Sequence, residues 1–344
     1  MTKAASWVAT VGACVIALLA GVLNPALAEK PFYEGKTITL SSYGGAGNNY
    51  DTYSRLVSRH LGKHIPGHPN IIVMNQPGAG GLVAANYTSR IAPQDGTFIT
   101  LVSDGLLMFE ATGRKGLQDS LTKFKWLAAL SSSNVVTATW AGSHIKTIDD
   151  ARKREVRLGG SGAGAMSSVV PELYNSFAGT RFTVVQGYRS APEQNLAMER
   201  GELDGRGAAS WTSFKNLMPN EIKDGKLNVI AQIGTSRASD LPDAPLLTEL
   251  AGSDPKKQAI AQFVSKALTL SRSVAAPPHA PDAQVEILRK GFADLVKDPE
   301  FLAEADRLHL DIGFVPGPEV GALIKDVLST PKDVIDETKV MMKL

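Results

Sequence analysis

The chain has 344 residues, with 36 lysines and arginines against 34 aspartates and glutamates, a formal net charge of +2, 43% hydrophobic residues and one cysteine. A near-neutral balance with no long basic run interleaved with aromatics argues against nucleic acid as a partner, and a lone cysteine rules out a disulfide framework. The length suits two lobes, each large enough for its own core.

Residues 1–28 carry a single charge, Lys3, followed by an apolar run at 7–23 and then Asn24-Pro25-Ala26-Leu27-Ala28. This reads as a secretory signal peptide cleaved near Ala28, so that the mature chain is exported and begins near Glu29. An uncleaved anchor is disfavoured by the small-residue site and by Pro25 so close behind the apolar run. Val11-Gly12-Ala13-Cys14 has only a faint likeness to a lipoprotein box, because cutting there leaves a very short apolar segment. Cys14 lies inside the signal, so the mature 316 residues are expected to have neither disulfide nor thiol chemistry. No later apolar stretch is long enough to span a membrane, and there is no tandem repeat or low-complexity linker.

Strand and helix then alternate, which favours mostly parallel sheets covered on both faces. Residues 37–41 read as a strand and 51–61 as a helix with Tyr53, Leu56, Val57 and Leu61 on one side; between them lies Tyr43-Gly44-Gly45-Ala46-Gly47-Asn48-Asn49. A strand at 71–74 runs into Gly78-Ala79-Gly80-Gly81 and a helix at 82–91, and after a turn at 93–96 a third strand covers 98–102. Glycine loops that open helices hold anions well, because amides at a helix start lack intrahelical acceptors and the macrodipole places partial positive charge there. The plain alternative is that these glycines only make tight turns.

Strands at 126–130 and 135–140 are joined through 131–134, and Thr147 caps a short helix at 149–154. A strand at 156–159 empties into Gly160-Ser161-Gly162-Ala163-Gly164-Ala165, and a helix runs to about residue 177; this is the third strand, glycine loop and helix unit. Residues 184–185 form a strand before Gly187-Tyr188-Arg189, and the helix at 192–200 is capped by Ser190 or Ala191. Short strands at 201–207, 228–233 and 272–276 and helices at 256–263, 284–297 and 300–308 complete the pattern.

No catalytic or metal pattern fits. Gly159-Gly160-Ser161-Gly162-Ala163 misses the hydrolase elbow at its last position, Gly162-Ala163-Gly164 fails to complete a dinucleotide fingerprint, and no Walker lysine follows any loop. His60, His64 and His68 recur every four residues without the glutamate of a zinc-protease motif, and a cationic group at a helix end needs no metal to explain it. Neither a metal nor a cofactor is expected. Trp140 and Trp211 read as packing residues, and Arg189 either is solvated or grips a carboxylate in bidentate fashion.

Residues 31–40 (PFYEGKTITL), the glycine loop ending in Tyr50-Asp51-Thr52-Tyr53-Ser54-Arg55, Asn75-Gln76-Pro77-Gly78-Ala79-Gly80-Gly81 and Ala92-Pro93-Gln94-Asp95-Gly96-Thr97 together resemble the Bug (TctC-like) receptors of tripartite tricarboxylate transporters. The resemblance implies an α/β, two-lobed periplasmic binding protein fold of type II character with crossover hinge strands: lobe one from 29–130 plus 265–344, lobe two from 131–264. It implies a periplasmic receptor, not an enzyme, that holds a small carboxylate between the lobes and docks on permease subunits or a sensor kinase. By position, Tyr43, Gly44, Gly45, Ala46, Gly47, Asn48, Asn49, Gly78, Ala79, Gly80 and Gly81 would make the first grip. Ser161, Gly162, Ala163, Gly164, Ala165, Tyr188 and Arg189 would make the second. A monomer is expected. Asn48 and Asn49 stand where the family has paired glycines, and Met166-Ser167-Ser168 where it often has a histidine, so a partly neutral or hydroxylated ligand is compatible. The alternative is a secreted enzyme acting on a small anionic substrate, with Ser161 as nucleophile.

Overall fold

A computed structural model describes residues 30–131, 133–162, 165–188, 190–269 and 271–344. Residues 1–28, the expected signal peptide with Cys14, lie outside them. Strand β1 (Thr37–Ser42) leads into helix α1 (Asn49–His60), β2 (Asn70–Asn75) into α2 (Leu82–Arg90), and β3 (Phe98–Leu101) into α3 (Leu106–Ala111). β4 (Lys125–Ser131) then crosses to a second sheet.

That sheet is built from β5 (Val135–Trp140), α4 (Ile148–Lys153), β6 (Val156–Gly160), α5 (Met166–Ala178), β7 (Phe182–Gln186), α6 (Ala191–Glu199), β8 (Gly205–Ser210), α7 (Trp211–Leu217), α8 (Pro219–Lys223) and β9 (Leu227–Ile233). The chain returns through α9 (Leu247–Leu250) and α10 (Pro255–Thr269) to β10 (Ser271–Ala276). It ends with α11 (Asp282–Leu295), α12 (Pro299–Arg307), β11 (Val315–Pro316), α13 (Gly317–Leu328) and α14 (Lys332–Met342).

The strand orders are β11-β4-β10-β3-β1-β2 and β7-β6-β8-β5-β9. The expected parallel pairing holds among β1, β2 and β3 and among β6, β7 and β8, where each strand is followed by a helix. The strands at the crossovers pair antiparallel, so both sheets are mixed. A strand that arrives from the other lobe is free of the crossover geometry that makes neighbours parallel.

Local chemistry sets most element boundaries. Thr147 and Asp150 form a capping box at α4, and Ser190, not Ala191, caps α6. The strand expected at 201–207 begins only at Gly205, because Gly201, at φ 74°, closes α6 by donating its amide to the Met198 carbonyl. Helix α10 runs on to Thr269 because Val264, Ala267 and Leu268 continue its buried face. Helices α3, α7, α8, α9, α13 and α14 were not expected; α13 does carry the helical period in buried Val320, Ile324 and Val327.

One apolar cluster joins the two sheets: Leu106 and Trp126 from the first share it with Leu158 and Leu173 from the second and with Val264 of α10. A second lies under the first sheet alone, around Tyr53, Leu56 and Phe292. The histidines near α1 belong to its seam with α12. His60 bonds Glu304 at 2.6 Å, and His64 and Lys63 bond Asp298 at 2.9 and 2.6 Å, while Asp298 caps α12 through the Glu300 amide.

Burial pushes the Asp298 carboxyl up, but the bonds from Lys63, His64 and the Glu300 amide outweigh it and hold it well below the usual carboxylate range. A depressed folded pKa contributes stability that is present above the unfolded value near 4 and lost as pH falls below it. Asp298→Ala should cost about 1 kcal/mol at neutral pH through the lost cap. Asp298→Asn should keep the cap and flatten the acid limb of an unfolding-against-pH curve.

Candidate functional site

Six helices start at the C-terminal ends of strands that pair in parallel: α1 after β1, α2 after β2, α3 after β3, α5 after β6, α6 after β7 and α7 after β8. Each start presents amides with no intrahelical acceptor and the positive end of a helix dipole. They differ in whether the chain fills that position itself; at α7 it does, Ser210 Oγ accepting the Ser213 amide at 3.2 Å.

The start of α1 is filled. Asn48 Oδ1 accepts the Asp51 amide at 2.9 Å, and the Asp51 carboxylate accepts from the Gly47 amide, Arg55 Nε and Asn75 Nδ2, each at 2.9 Å. Burial pushes the Asp51 carboxyl up, yet these bonds keep it below its ordinary value and charged. Asn75 Nδ2 also donates to the Gly44 carbonyl at 2.8 Å, and the Asn48 amide to the Gly45 carbonyl at 3.2 Å. Helix α6 is likewise filled, by Ser190 Oγ accepting the Glu193 amide and by Glu193 in the first turn.

The starts of α2 and α5 are open: neither has a side-chain cap or an acid in its first turn, and the six-residue α3, itself uncapped, begins between them. Before α2, Gly78, Ala79, Gly80 and Gly81 all have positive φ, at 144°, 45°, 65° and 102°. Such a run is costly for Ala79 and is tolerated where a loop has a task. Gly81 is buried, and a Cβ there would lie 2.5 Å from Ser103 Cβ. Before α5, the Ser161 amide donates to Ser167 Oγ at 3.1 Å, Ser168 Oγ to the Gly162 carbonyl at 2.7 Å, and the Ala165 amide to the same carbonyl at 3.0 Å. Ala163, Gly164 and Arg189 lie outside the described residues. The Gly187 and Tyr188 amides both donate to the Gly160 carbonyl, which ties the 187–188 turn to the base of this loop.

The two open starts approach each other through α3. Gly105, just before α3, faces Met166, the first residue of α5, so closely that a Cβ on Gly105 would lie 3.3 Å from Met166 Cγ. Ser103, the neighbour of Gly81, is two residues away in the same turn.

The centre of the junction is a residue the sequence pattern did not single out. Arg272 on β10 is 1% exposed, and its φ is 59°. Its Nη1 donates to Asp104 Oδ2 at 2.8 Å and to Ser271 Oγ at 2.7 Å, and its Nε to Asn49 Oδ1 at 3.1 Å. Its Nη2 bonds Asn49 Oδ1 and also Ser210 Oγ at 3.0 Å, the latter from the second sheet. The guanidinium lies 4.0 Å from the Tyr50 ring centre and 5.1 Å from that of Tyr53. The available signal was an arginine inside an otherwise small and apolar segment, Ser271-Arg272-Ser273-Val274-Ala275-Ala276.

Other nominated residues have structural partners. Tyr43 packs on Tyr50 with ring centres 4.2 Å apart, and burial, then Asp104, pushes its hydroxyl up to about 12, so it is neutral. Gly44 is buried against the Asn48 side chain, Gly45 is half-buried, and Ala46 and Gly47 are exposed. Tyr188 packs half-buried on the second lobe's own cluster with Trp211 and Phe214, and Trp140 does the same; the Trp211 indole donates to Asp240 at 2.8 Å. Ser161 Oγ pairs with Ser167 Oγ at 3.1 Å, a hydroxyl rather than a base. Among the described residues, His60, Asp298 and Glu300 bring possible metal-ligand atoms within 4.8 Å of one another, but Lys63 already places its ammonium between the two carboxylates at 2.6 and 2.7 Å.

A second contact set links the lobes beside α7. Thr212 Oγ1 donates to Asp311 Oδ2 at 2.9 Å, Lys215 pairs with Asp311 at 2.5 Å, and Asn216 Nδ2 donates to the Leu308 carbonyl at 2.6 Å.

Residues 54–340 match the tripartite tricarboxylate transporter family receptor, TctC. A UPF0065 protein of Bordetella bronchiseptica is 25% identical over 285 residues, spanning 80% of this chain and 78% of that one. MatC of Rhodopseudomonas palustris, solved with bound malate, has a TM-score of 0.66 at 19% identity, with 87% of this chain and 99% of that one covered. An R. palustris protein solved with adipate has a TM-score of 0.67 at 17% identity, with 90% and 97% covered. The fold is thus the two-lobed periplasmic binding protein fold, and the chain belongs to the TctC receptor family of tripartite tricarboxylate transporters.

Proposed function

We propose that this protein is an extracytoplasmic solute receptor that captures a small carboxylate between its lobes and delivers it to membrane permease subunits. The observation that carries this reading is the pair of open helix starts, α2 and α5, brought towards each other across Gly105 and Met166. Each offers amides and dipole to an anion without a lysine in the loop. The relatives with malate and adipate support a ligand of the carboxylate class.

The lobe division at 29–130 plus 265–344 and 131–264 belongs to the same reading, supported by the two crossings at β4–β5 and α10–β10. Helix α14 belongs to lobe one by this division, yet it packs on α5 and α10. Export by removal of residues 1–28, residence in the periplasm, a monomeric state and an alternative sensor partner complete the proposal. No helix among the described residues is long and apolar enough to cross a membrane. The receptor closes because the ligand binds the closed arrangement better than the open one.

Thermal unfolding of the mature chain against di- and tricarboxylates, aromatic acids and amino acids tests this. Ligand at 100 times its Kd adds about 2.7 kcal/mol, a rise of several degrees. No rise with any acid, after refolding to strip co-purified ligand, sinks the receptor reading, and turnover that Ser161→Ala abolishes would replace it with an enzyme.

Val83 lies in the first turn of α2 and is 47% exposed. Val83→Asp should place an internal carboxylate at that open start, weakening ligand binding about tenfold or more while leaving the stability of the unliganded protein equal or higher by up to ~1 kcal/mol. Arg272→Met should leave Asp104 and Asn49 without their cation and lower stability by about 3–5 kcal/mol; Arg272→Lys restores the charge without the planar fork and recovers only part of it.

A further inference from the structure

The second lobe holds a cation that none of these contacts uses. Arg206 of β8 is 6% exposed beneath α6 and α7; Nη1 donates to Asn195 Oδ1 at 3.0 Å, and the guanidinium lies 4.6 Å from the Phe214 ring centre. Its Nε is buried without a hydrogen-bond partner. Among the described residues no carboxylate pairs with it, and burial alone acts on it, lowering its pKa to about 10, so it stays charged. Arg272, the other deeply buried arginine among the described residues, has Asp104 at 2.8 Å.

A lone charge in a protein interior is unfavourable unless something compensates it. The register says where compensation would come from. Arg206 pairs with Gly159 of β6, one residue before Gly160 and two before Ser161. Directly paired residues face the same side of a sheet, and the Gly159 position faces Gln194 of α6, where an added Cβ would lie 3.0 Å from Cγ. Arg206 therefore sits about one strand residue, ~3.3 Å, below the level at which β6 ends in its glycine loop, on the face that α6 covers.

Resting on the receptor reading, we propose that Arg206 is a positioning residue for a second anionic group on the ligand: its uncompensated buried charge makes the second-lobe loop favour dicarboxylates over monocarboxylates. It acts through the field beneath the loop, which low-dielectric surroundings screen little. The preference therefore follows the charge of residue 206, not its shape.

Calorimetric titration of the wild type, Arg206→Met, Arg206→Gln and Arg206→Lys with succinate and adipate, and with butyrate and hexanoate as monoacids of equal length, tests this. The wild type should prefer each diacid by about tenfold or more, the two neutral variants should bring the ratio within about threefold, and Arg206→Lys should keep the preference. Arg206→Met should unfold at the same or a higher midpoint, since it removes an unpaired buried charge. An unchanged ratio in both neutral variants overturns the proposal, as does a wild type that binds both classes equally; this last result leaves the receptor reading standing. A wild type that binds neither class overturns both.

Discussion

The junction between the lobes depends on one buried guanidinium. Arg272 arrives on the returning strand β10 in a left-handed conformation that an arginine adopts only under constraint, and it spends every donor direction on groups from three segments. Asp104 supplies the charge, Asn49 the start of α1, and Ser210 the second sheet, while Tyr50 and Tyr53 offer their ring faces. A lysine could match the charge but not the planar fork, which is what lets one side chain fix the start of α1, the end of β3 and the end of β8 together.

Around that anchor, the chain sorts its helix starts by whether it completes them. Asn48 with Asp51 and Ser190 with Glu193 fill α1 and α6, so these ends are structural. The starts of α2 and α5 have no cap supplied by the chain. The first glycine loop, nominated with Gly78 to Gly81 for the first grip, spends part of its donor capacity inside the protein: the Gly47 amide goes to Asp51 and that of Asn48 to Gly45. Positive charge is handled in the same two ways. Arg272 is compensated by Asp104, whereas Arg206 is buried with only an amide oxygen and a ring beside it.

The three strand, loop and helix units were legible because each is a local signal: alternation of apolar strand and amphipathic helix, with glycines between. So was the family resemblance, carried by contiguous segments such as Asn75-Gln76-Pro77-Gly78-Ala79-Gly80-Gly81. The missed helices α7, α8 and α9 span seven residues or fewer; the burial of α7 and α9 is decided by interlobe contacts and by α10 rather than by a long period, and α8 buries none of its residues.

Sequence alone therefore determined the three strand, glycine loop and helix units, since caps, turns and hydrophobic period act over a few residues, while the two lobes followed from chain length and the family resemblance. Tertiary structure decided which helix starts are open, that Arg272 is the hub and that Arg206 has no acid beside it among the described residues. These facts depend on which side chains meet across more than a hundred residues of chain, as Arg272 meets Asn49 and Asp104. The physical reason is that an amide, a carboxylate and a guanidinium carry the same chemistry wherever they occur in a sequence, and only the fold decides which of them are left without a partner.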